Sequence, residues 1–425
     1  MKSLTKTIKA IAQWTSLTED VKQQVCTAVL NYFGAECQDE AAIAALAEAL
    51  ANSGERYKWP PDIYPLGGVI STGGPSSLST LLCPYIAAAA GCYIPNVTVP
   101  GTVAGALDVL ALVRDYKTNF RQDEMIQALR ASRVANTLTS LRFAPADGYL
   151  FSMRKCLSKK DVPALVVASL LAKKLAASNY TCAVDIRCGR LGNFGDNLTE
   201  CRKNAELLIR VAERLRMRVR CVVTDITQPL MPYLGRPESL QALLLALSGD
   251  RSDPWLTHHI ETCVEIATQS LMAAGLAVKK QQAKAMAEQS LSGGTTKHAL
   301  QLNLLSQGSS ISMLERIMEA NEGRTKKFLT SPKSGYVEYI DCGALAMSLI
   351  RAATHNSSYG DSIGLICLKA PGDKVESHEP IVELRYPSSL PLGIIDRITL
   401  DALSAYRIVT RAQGGLPVQI MGIIS

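Results

Sequence analysis

Thr181-Cys-Ala-Val-Asp-Ile-Arg187 and Arg218-Val-Arg-Cys-Val-Val-Thr-Asp225 are two short strand-like runs, and between them Leu198 to about Arg216 carries helical spacing. Strand, helix, strand at that separation reads as a parallel crossover unit, because parallel neighbours cannot be joined by a tight turn. Upstream, Gly67 to Leu112 alternates in the same manner: a short strand, a hydroxyl-rich loop, an apolar helix, a second strand ending at Thr98 and a helix starting near Gly105. Such alternation is the pattern of an α/β layer with a largely parallel sheet.

Outward from this layer the pattern changes. Leu4 to about Asn52 has helical spacing throughout and ends in the alanine-rich run from Glu40 to Ala51, so a small helical module precedes the sheet. Trp59-Pro60-Pro61-Asp62-Ile63-Tyr64-Pro65 cannot continue a helix, since its prolines lack donors and push their predecessors to extended backbone. Asp161 to Ala177 reads as the clearest helix, with Asp161 as N-cap and Pro163 in the first turn. Further helices are expected over 238–247 and 259–291, before Gly293-Gly294. From Gly335 onward the chain reads as β-rich, with turns such as Pro371-Gly-Asp373.

Composition narrows the function. The 425 residues exceed the size of about 250–300 at which single cores stop growing, so two or three parts are expected. With 47% hydrophobic and 20% charged residues the chain is globular. Aromatics at 5% leave little for base-stacking platforms, and the net charge of +7 is spread without a run of five like charges. Small anionic or polar substrates are expected, and no nucleic acid. The longest apolar run, Leu81 to Pro95, contains Pro84 and Gly91 and falls short of the roughly 18 residues of a membrane span, so no membrane partner is expected. Twelve cysteines without a C-x-x-C pair, and no secretory segment behind Met1, read as a reducing cytoplasm. The histidines show no metal spacing beyond the doubled His258-His259, and Gly189-Arg-Leu-Gly192-Asn-Phe-Gly195 has the wrong spacing for a dinucleotide loop. Neither a metal nor another cofactor is expected.

Three groups of residues remain as candidates. The loop from Ile70 to Thr80 places six hydroxyls and two glycines between a strand and a helix, which suits an anion or sugar site or a plain capping connection. Ser169 and Lys173 lie four apart on one helix face, where the ammonium either snorkels to solvent or faces a cleft. Arg154, just before that helix, reads by itself as a surface arginine.

Together and in order, these segments resemble the thymidine and pyrimidine-nucleoside phosphorylase family from about Trp59 to Ile423. Ser71-Thr-Gly-Gly74 is similar to the family's K-H-S-T-G-G, Asp225-Ile-Thr-Gln-Pro229 to D-M-N-Q-P, and Leu107-Asp108 to T-L-D. Ala144-Pro-Ala-Asp147, Arg154, Ser169 and Lys173 follow the family's A-P-A-D, R-D and S-x-x-x-K-K. The resemblance implies a nucleoside phosphorylase/phosphoribosyltransferase-like architecture: α/β, with a separate small all-α domain (1–58 and 146–178), an α/β domain (63–145 and 179–330) and a C-terminal α+β portion (335–425). It implies that Arg154, Ser169 and Lys173 hold the pyrimidine, Arg154 and Lys173 being the catalytic cations. Ser71, Thr72, Gly73, Gly74, Ser79 and Thr98 would line the anion or sugar loop, and the helical domain would pair two copies as a homodimer.

The phosphate half departs from the family. Val69 and Ile70 stand where the family has lysine and histidine, Pro75-Ser76-Ser77 replace its glycine and aspartate, Val99 to Gly105 is shortened, and Ala106 replaces a threonine. A hydrogen bond to a charged partner contributes about 1.5–3 kcal/mol, so losing lysine and threonine predicts phosphate affinity lower by roughly two to four orders of magnitude. The expectation is glycosyl transfer at the base N-glycosidic bond of a pyrimidine nucleoside with weak or no phosphate dependence, and Val69→Lys should raise that dependence. The alternatives are a true phosphorylase whose cation arrives from elsewhere, and a non-catalytic nucleoside-binding protein.

Overall fold

The computed structural model describes residues 2–34, 37–72, 74–98, 105–138, 142–159, 161–355, 363–412 and 414–425. The chain opens with helices α1 (Lys2–Ala12), α2 (Glu19–Tyr32) and α3 (Glu40–Ala51). Asp39 starts α3 by accepting from Ala42 N at 3.0 Å, and the alanines that follow lose almost no side-chain entropy on becoming helical. Alternation then sets in: β1 (Val69–Ser71), α4 (Ser79–Ala89), β2 (Ile94–Thr98), α5 (Ala106–Leu110), α6 (Gln122–Ser132) and β3 (Val134–Leu138). Two helices, α7 (Pro145–Cys156) and α8 (Pro163–Ala176), interrupt it before β4 (Thr181–Cys188), α9 (Leu198–Arg214) and β5 (Arg218–Asp225) resume it. Asn197 caps α9, accepting from Glu200 N at 3.0 Å.

β1, β4 and β5 pair in parallel, and β2 pairs in parallel with β3. A parallel bridge between Leu66 and Tyr93 ties the segment leading into β1 to the start of β2. The chain thus builds β2 and β3 on one side of β1 and returns as β4 on the other, which makes β1/β4 the topological switch point where α/β sheets bind ligands. β4 is buried at all eight positions, as expected of a strand covered on both faces. Its Cys182, Val184 and Ile186 pack with α3, α8 and α9, while Ala183 joins the opposite core under α4 and α11 (Pro254–Ala274). α8 lies on α3, in the company of the N-terminal helices.

Local chemistry moves several boundaries. Val162, not Asp161, is the N-cap of α8, with Pro163 at the first helical position. The helix expected over 238–247 is α10 (Arg236–Ser248), and the single helix expected over 259–291 is broken in two: α11, which Asp253 caps through Trp255 N and Leu256 N, stops at Gly275 with φ +79°, and a second helix begins at Lys280. α12 (Lys280–Ser292), α13 (Thr295–Ser306) and α14 (Ile311–Glu322) complete this layer.

The C-terminal portion contains β7 (Thr325–Thr330), β8 (Gly335–Ile340), α15 (Cys342–His355), β9 (Gly364–Cys367), β10 (Lys374–Val375), β11 (Pro380–Tyr386), α16 (Leu392–Ser404) and β12 (Tyr406–Val409). With the short strand β6 (Tyr233–Leu234) from the preceding layer, its sheets run β6-β9-β11-β7 and β10-β8-β12. Two strands cross the expected boundary at 335. β7 lies before it yet pairs antiparallel with β11, its pattern hidden by Lys326 and Lys327 on an exposed edge. β13 (Ile420–Ile424) lies after it yet pairs antiparallel with β5 and completes the main sheet. Among the described residues no helix is long and apolar enough to cross a membrane.

Candidate active site

Because β1, β4 and β5 are parallel, Ser71, Cys188 and Asp225 end them at one edge, and the loops that follow gather there. Asp185 and Arg187 project from the same face of β4, two residues apart, toward α4. Arg187 Nε donates to Asp185 Oδ2 at 2.8 Å and its Nη2 to Ser79 Oγ at 2.8 Å. Ser79 in turn donates to Asp185 Oδ2 at 2.7 Å, and Thr224 Oγ1 donates to Asp185 Oδ1 at 2.6 Å. Both oxygens of this fully buried carboxylate are therefore occupied, and Arg187 is itself only 3% exposed. The backbone N–H of Arg187 donates to Thr72 Oγ1 at 2.8 Å.

Gly74 meets this arginine directly. Its φ of +93° suits glycine, and a Cβ there would stand 2.8 Å from Arg187 Nη1, so the loop can lie against the guanidinium only without a side chain. The glycines after β4 have a similar explanation: a Cβ at Gly192 would collide with the carbonyl of Arg187, around which the chain folds back.

Of the loop hydroxyls, Ser76 donates to Met231 O at 2.9 Å, Ser77 to Ser79 Oγ at 3.2 Å, and Ser79 to Asp185. Ser71 and Thr98, at the ends of β1 and β2, are half-buried. Gly73 and the stretch 99–104 lie outside the described residues. Leu78 N donates to Nε2 of buried His259 at 2.8 Å, and Gln419 Oε1 lies 3.0 Å from its Nδ1, so the doubled histidine braces the start of α4. Val69 is 4% exposed and sits in the core under α4, so a lysine placed there would bury its charge; Val69→Lys is the wrong substitution for restoring a phosphate contact. The Asp225-Ile-Thr-Gln-Pro229 run fastens the C-terminal portion: Cys342 N and Tyr339 Oη donate to Thr227 O, and Ile340 N to Gln228 Oε1.

The second group sits on α7 and α8. Lys173 Nζ lies 2.7 Å from Asp147 Oδ2 and 2.7 Å from Ser169 Oγ, so helical spacing brings serine and lysine together as expected. Asp147, near the start of α7, is buried, and its Oδ1 has no hydrogen-bond partner among the described residues. Lys173 keeps 15% of its side chain exposed. Arg154 is no surface arginine: at 2% exposure it donates through Nη1 to Leu165 O at 3.2 Å and through Nε to Lys159 O at 3.4 Å, bracing the turn between α7 and α8. Burial lowers its pKa, opposed by the charges of Asp147 and Asp161. Neighbouring Lys174 is buried against Gly68 and Cys182, and burial lowers its pKa too. Among the described residues no cluster of His, Cys, Asp and Glu could hold a metal ion.

Arg187 was not among the residues singled out in the sequence. The available signal was Asp185-Ile-Arg187 inside an otherwise apolar strand, since opposite charges two apart on a buried strand share one face.

No protein-family model matches the sequence. The chain is 26% identical over 377 residues to a thymidine phosphorylase of Burkholderia orbicola (strain MC0-3), covering 86% of this chain and 84% of that one. It is 27% identical over 367 residues to the Rhizobium meliloti (strain 1021) thymidine phosphorylase, covering 84% and 82%, and 28% identical over 332 residues to that of Rattus norvegicus, covering 75% and 69%. In structure it is similar to anthranilate phosphoribosyltransferase from Thermus thermophilus, with a TM-score of 0.54 and 15% identity over 74% of this chain and all of that one. The anthranilate phosphoribosyltransferase of Saccharomyces cerevisiae, solved in complex with PRPP and Mg, gives 0.50 and 13% over 70% and 90%. The chain is thus similar in sequence to thymidine phosphorylases over most of its length and takes a phosphoribosyltransferase-type fold, which supports a nucleoside phosphorylase-like enzyme.

Proposed function

We propose that the protein transfers the sugar of a pyrimidine nucleoside, breaking the bond between the anomeric carbon and the base nitrogen, with weak or no dependence on free phosphate. As that bond breaks, its electron pair leaves with the base and negative charge gathers on the ring carbonyl oxygens. Lys173, held by Ser169 and Asp147, and Arg154, fixed by the α7–α8 turn, are the cations for that charge in this reading. The nucleophile adds to the anomeric carbon from the side of the Ser71–Gly74 loop.

The observation that carries the weak phosphate dependence is the closed pair Asp185–Arg187. Its positive charge is balanced by a buried carboxylate, and the protons of Ser76, Ser77 and Ser79 are committed within the protein. A dianion entering beside such a neutral network loses hydration without a net countercharge, whereas water or a sugar hydroxyl does not meet that cost. A second reading, phosphorolysis with Arg187 as the replacement cation, draws support from the contact of its guanidinium with Gly74.

The test is a panel of pyrimidine nucleosides incubated with and without inorganic phosphate, free base being followed chromatographically. Release that is independent of phosphate supports the first reading. Release that requires phosphate and saturates at sub-millimolar levels establishes the second. Localisation in the cytoplasm and pairing of two copies through α1–α3 belong to the same proposal, and sedimentation showing only monomer at micromolar concentration would end the pairing.

A further inference from the structure

We infer that Asp147 is a positioning residue for the base: it aims the Lys173 ammonium and acts on the ligand through it. This deepens the base-site reading above and rests on it.

A buried carboxylate retained for stability alone is expected to have both oxygens satisfied, because an unpaired buried acceptor is costly. Asp185 meets that expectation through Thr224, Ser79 and Arg187. Asp147 does not: Oδ2 holds Lys173 at 2.7 Å, while Oδ1 is buried without a partner among the described residues. Its position near the start of α7, with Pro145 at the first helical positions, places the negative charge where the helix end favours it. What the arrangement secures is direction. An ammonium has three donors; Asp147 and Ser169 take two from fixed sides, and the third is left where Lys173 retains its exposure. A flexible lysine stem held at two points can present its remaining N–H to a carbonyl oxygen with little further loss of rotamer freedom. Arg154 is the other charge that feels Asp147, and its guanidinium is already held by the carbonyls of Leu165 and Lys159. Asp147 therefore controls Lys173 far more than Arg154.

The experiment is a double-mutant cycle on the full chain, with thymine binding read by calorimetry, thymidine turnover by chromatography and folding by thermal melts. Asp147→Asn should weaken thymine binding roughly ten- to a hundred-fold, the worth of one charged hydrogen bond. In a Lys173→Met background the same substitution should change binding less than about two-fold, since a residue that works through lysine has nothing left to aim. The double variant should also melt above Lys173→Met alone, which leaves a carboxylate buried without its cation. Equal losses in the two backgrounds overturn the inference while leaving the base site standing. If Lys173→Met folds and binds thymine like the unmodified protein, the base-site reading falls and takes this inference with it. Should Asp147→Asn fail to fold, Asp147→Glu replaces it: the charge is kept but displaced by one methylene, and turnover should drop at an unchanged melting temperature. Turnover unaffected by that displacement counts against aiming.

Discussion

The two charged clusters differ in how completely their carboxylates are satisfied. On β4, Asp185 has both oxygens occupied and its arginine is held by carboxylate and serine, with Gly74 lying against it. On α7 and α8, one oxygen of Asp147 has no partner among the described residues and its lysine stays partly open. A saturated network favours one rigid arrangement and offers an incoming anion little. An unsaturated one carries a standing cost that a bound ligand can share in relieving. In the proposed reading, base selectivity resides on the helical side and the sheet side shapes and supports the loop.

Breaking the closed cluster should have the largest effect. Arg187→Met leaves Asp185 buried without its cation, and urea unfolding should show a loss of about 3–5 kcal/mol. Adding Asp185→Asn should recover most of it. A loss below about 1 kcal/mol would mean that the pair is not the closed unit described. Next comes Lys173→Ala, expected to weaken pyrimidine binding by about 1.5–3 kcal/mol in calorimetry while leaving any phosphate saturation curve in place. A shift in phosphate saturation alone would reverse the assignment of the two sides.

Arg154→Lys sharpens the comparison from within the helical side. A lysine has no planar fork with which to serve the carbonyls of Leu165 and Lys159 together, so thermal melts should register a loss of about 1–3 kcal/mol alongside weaker base binding. Binding lost at full stability would instead make the arginine a ligand contact with no bracing role. The smallest effect is expected from Ser169→Ala, about 0.5–1.5 kcal/mol in base binding, because a neutral partner is deleted while Asp147 still holds the lysine.

The elements with short-range signatures could be read in advance. The β4–α9–β5 crossover declares itself in two apolar runs around an amphipathic helix, and α8 in a proline start and an unbroken apolar face. The Ser169–Lys173 contact follows from spacing alone. What stayed hidden depends on pairing across long separations. Nothing local in Thr325-Lys-Lys-Phe-Leu-Thr330 identifies it as the partner of β11, and no spacing rule joins Ile423 to Val222. Arg187 escaped for a related reason: its value lies in Ser79 and Gly74, which the fold brings from more than a helix away. Arg154 read as exposed because burying an arginine requires carbonyls that only the α7–α8 turn supplies.

The late arrival of β13 bears on how the molecule assembles. β5 gains its antiparallel neighbour only after the whole C-terminal portion has been threaded between them, and Gln419, just before β13, also meets the histidine that braces α4. Closing that edge carries the entropy of a very long loop, so the contacts of β13 belong to the high contact-order part of the topology. The β1–β4–β5 unit can pair first, with the β5 edge and the start of α4 left to settle in a slower phase. Refolding followed by amide hydrogen exchange should then show the β13 amides of Gly422 to Ile424 and that of Leu78 gaining protection together, behind the pairing of β1 with β4.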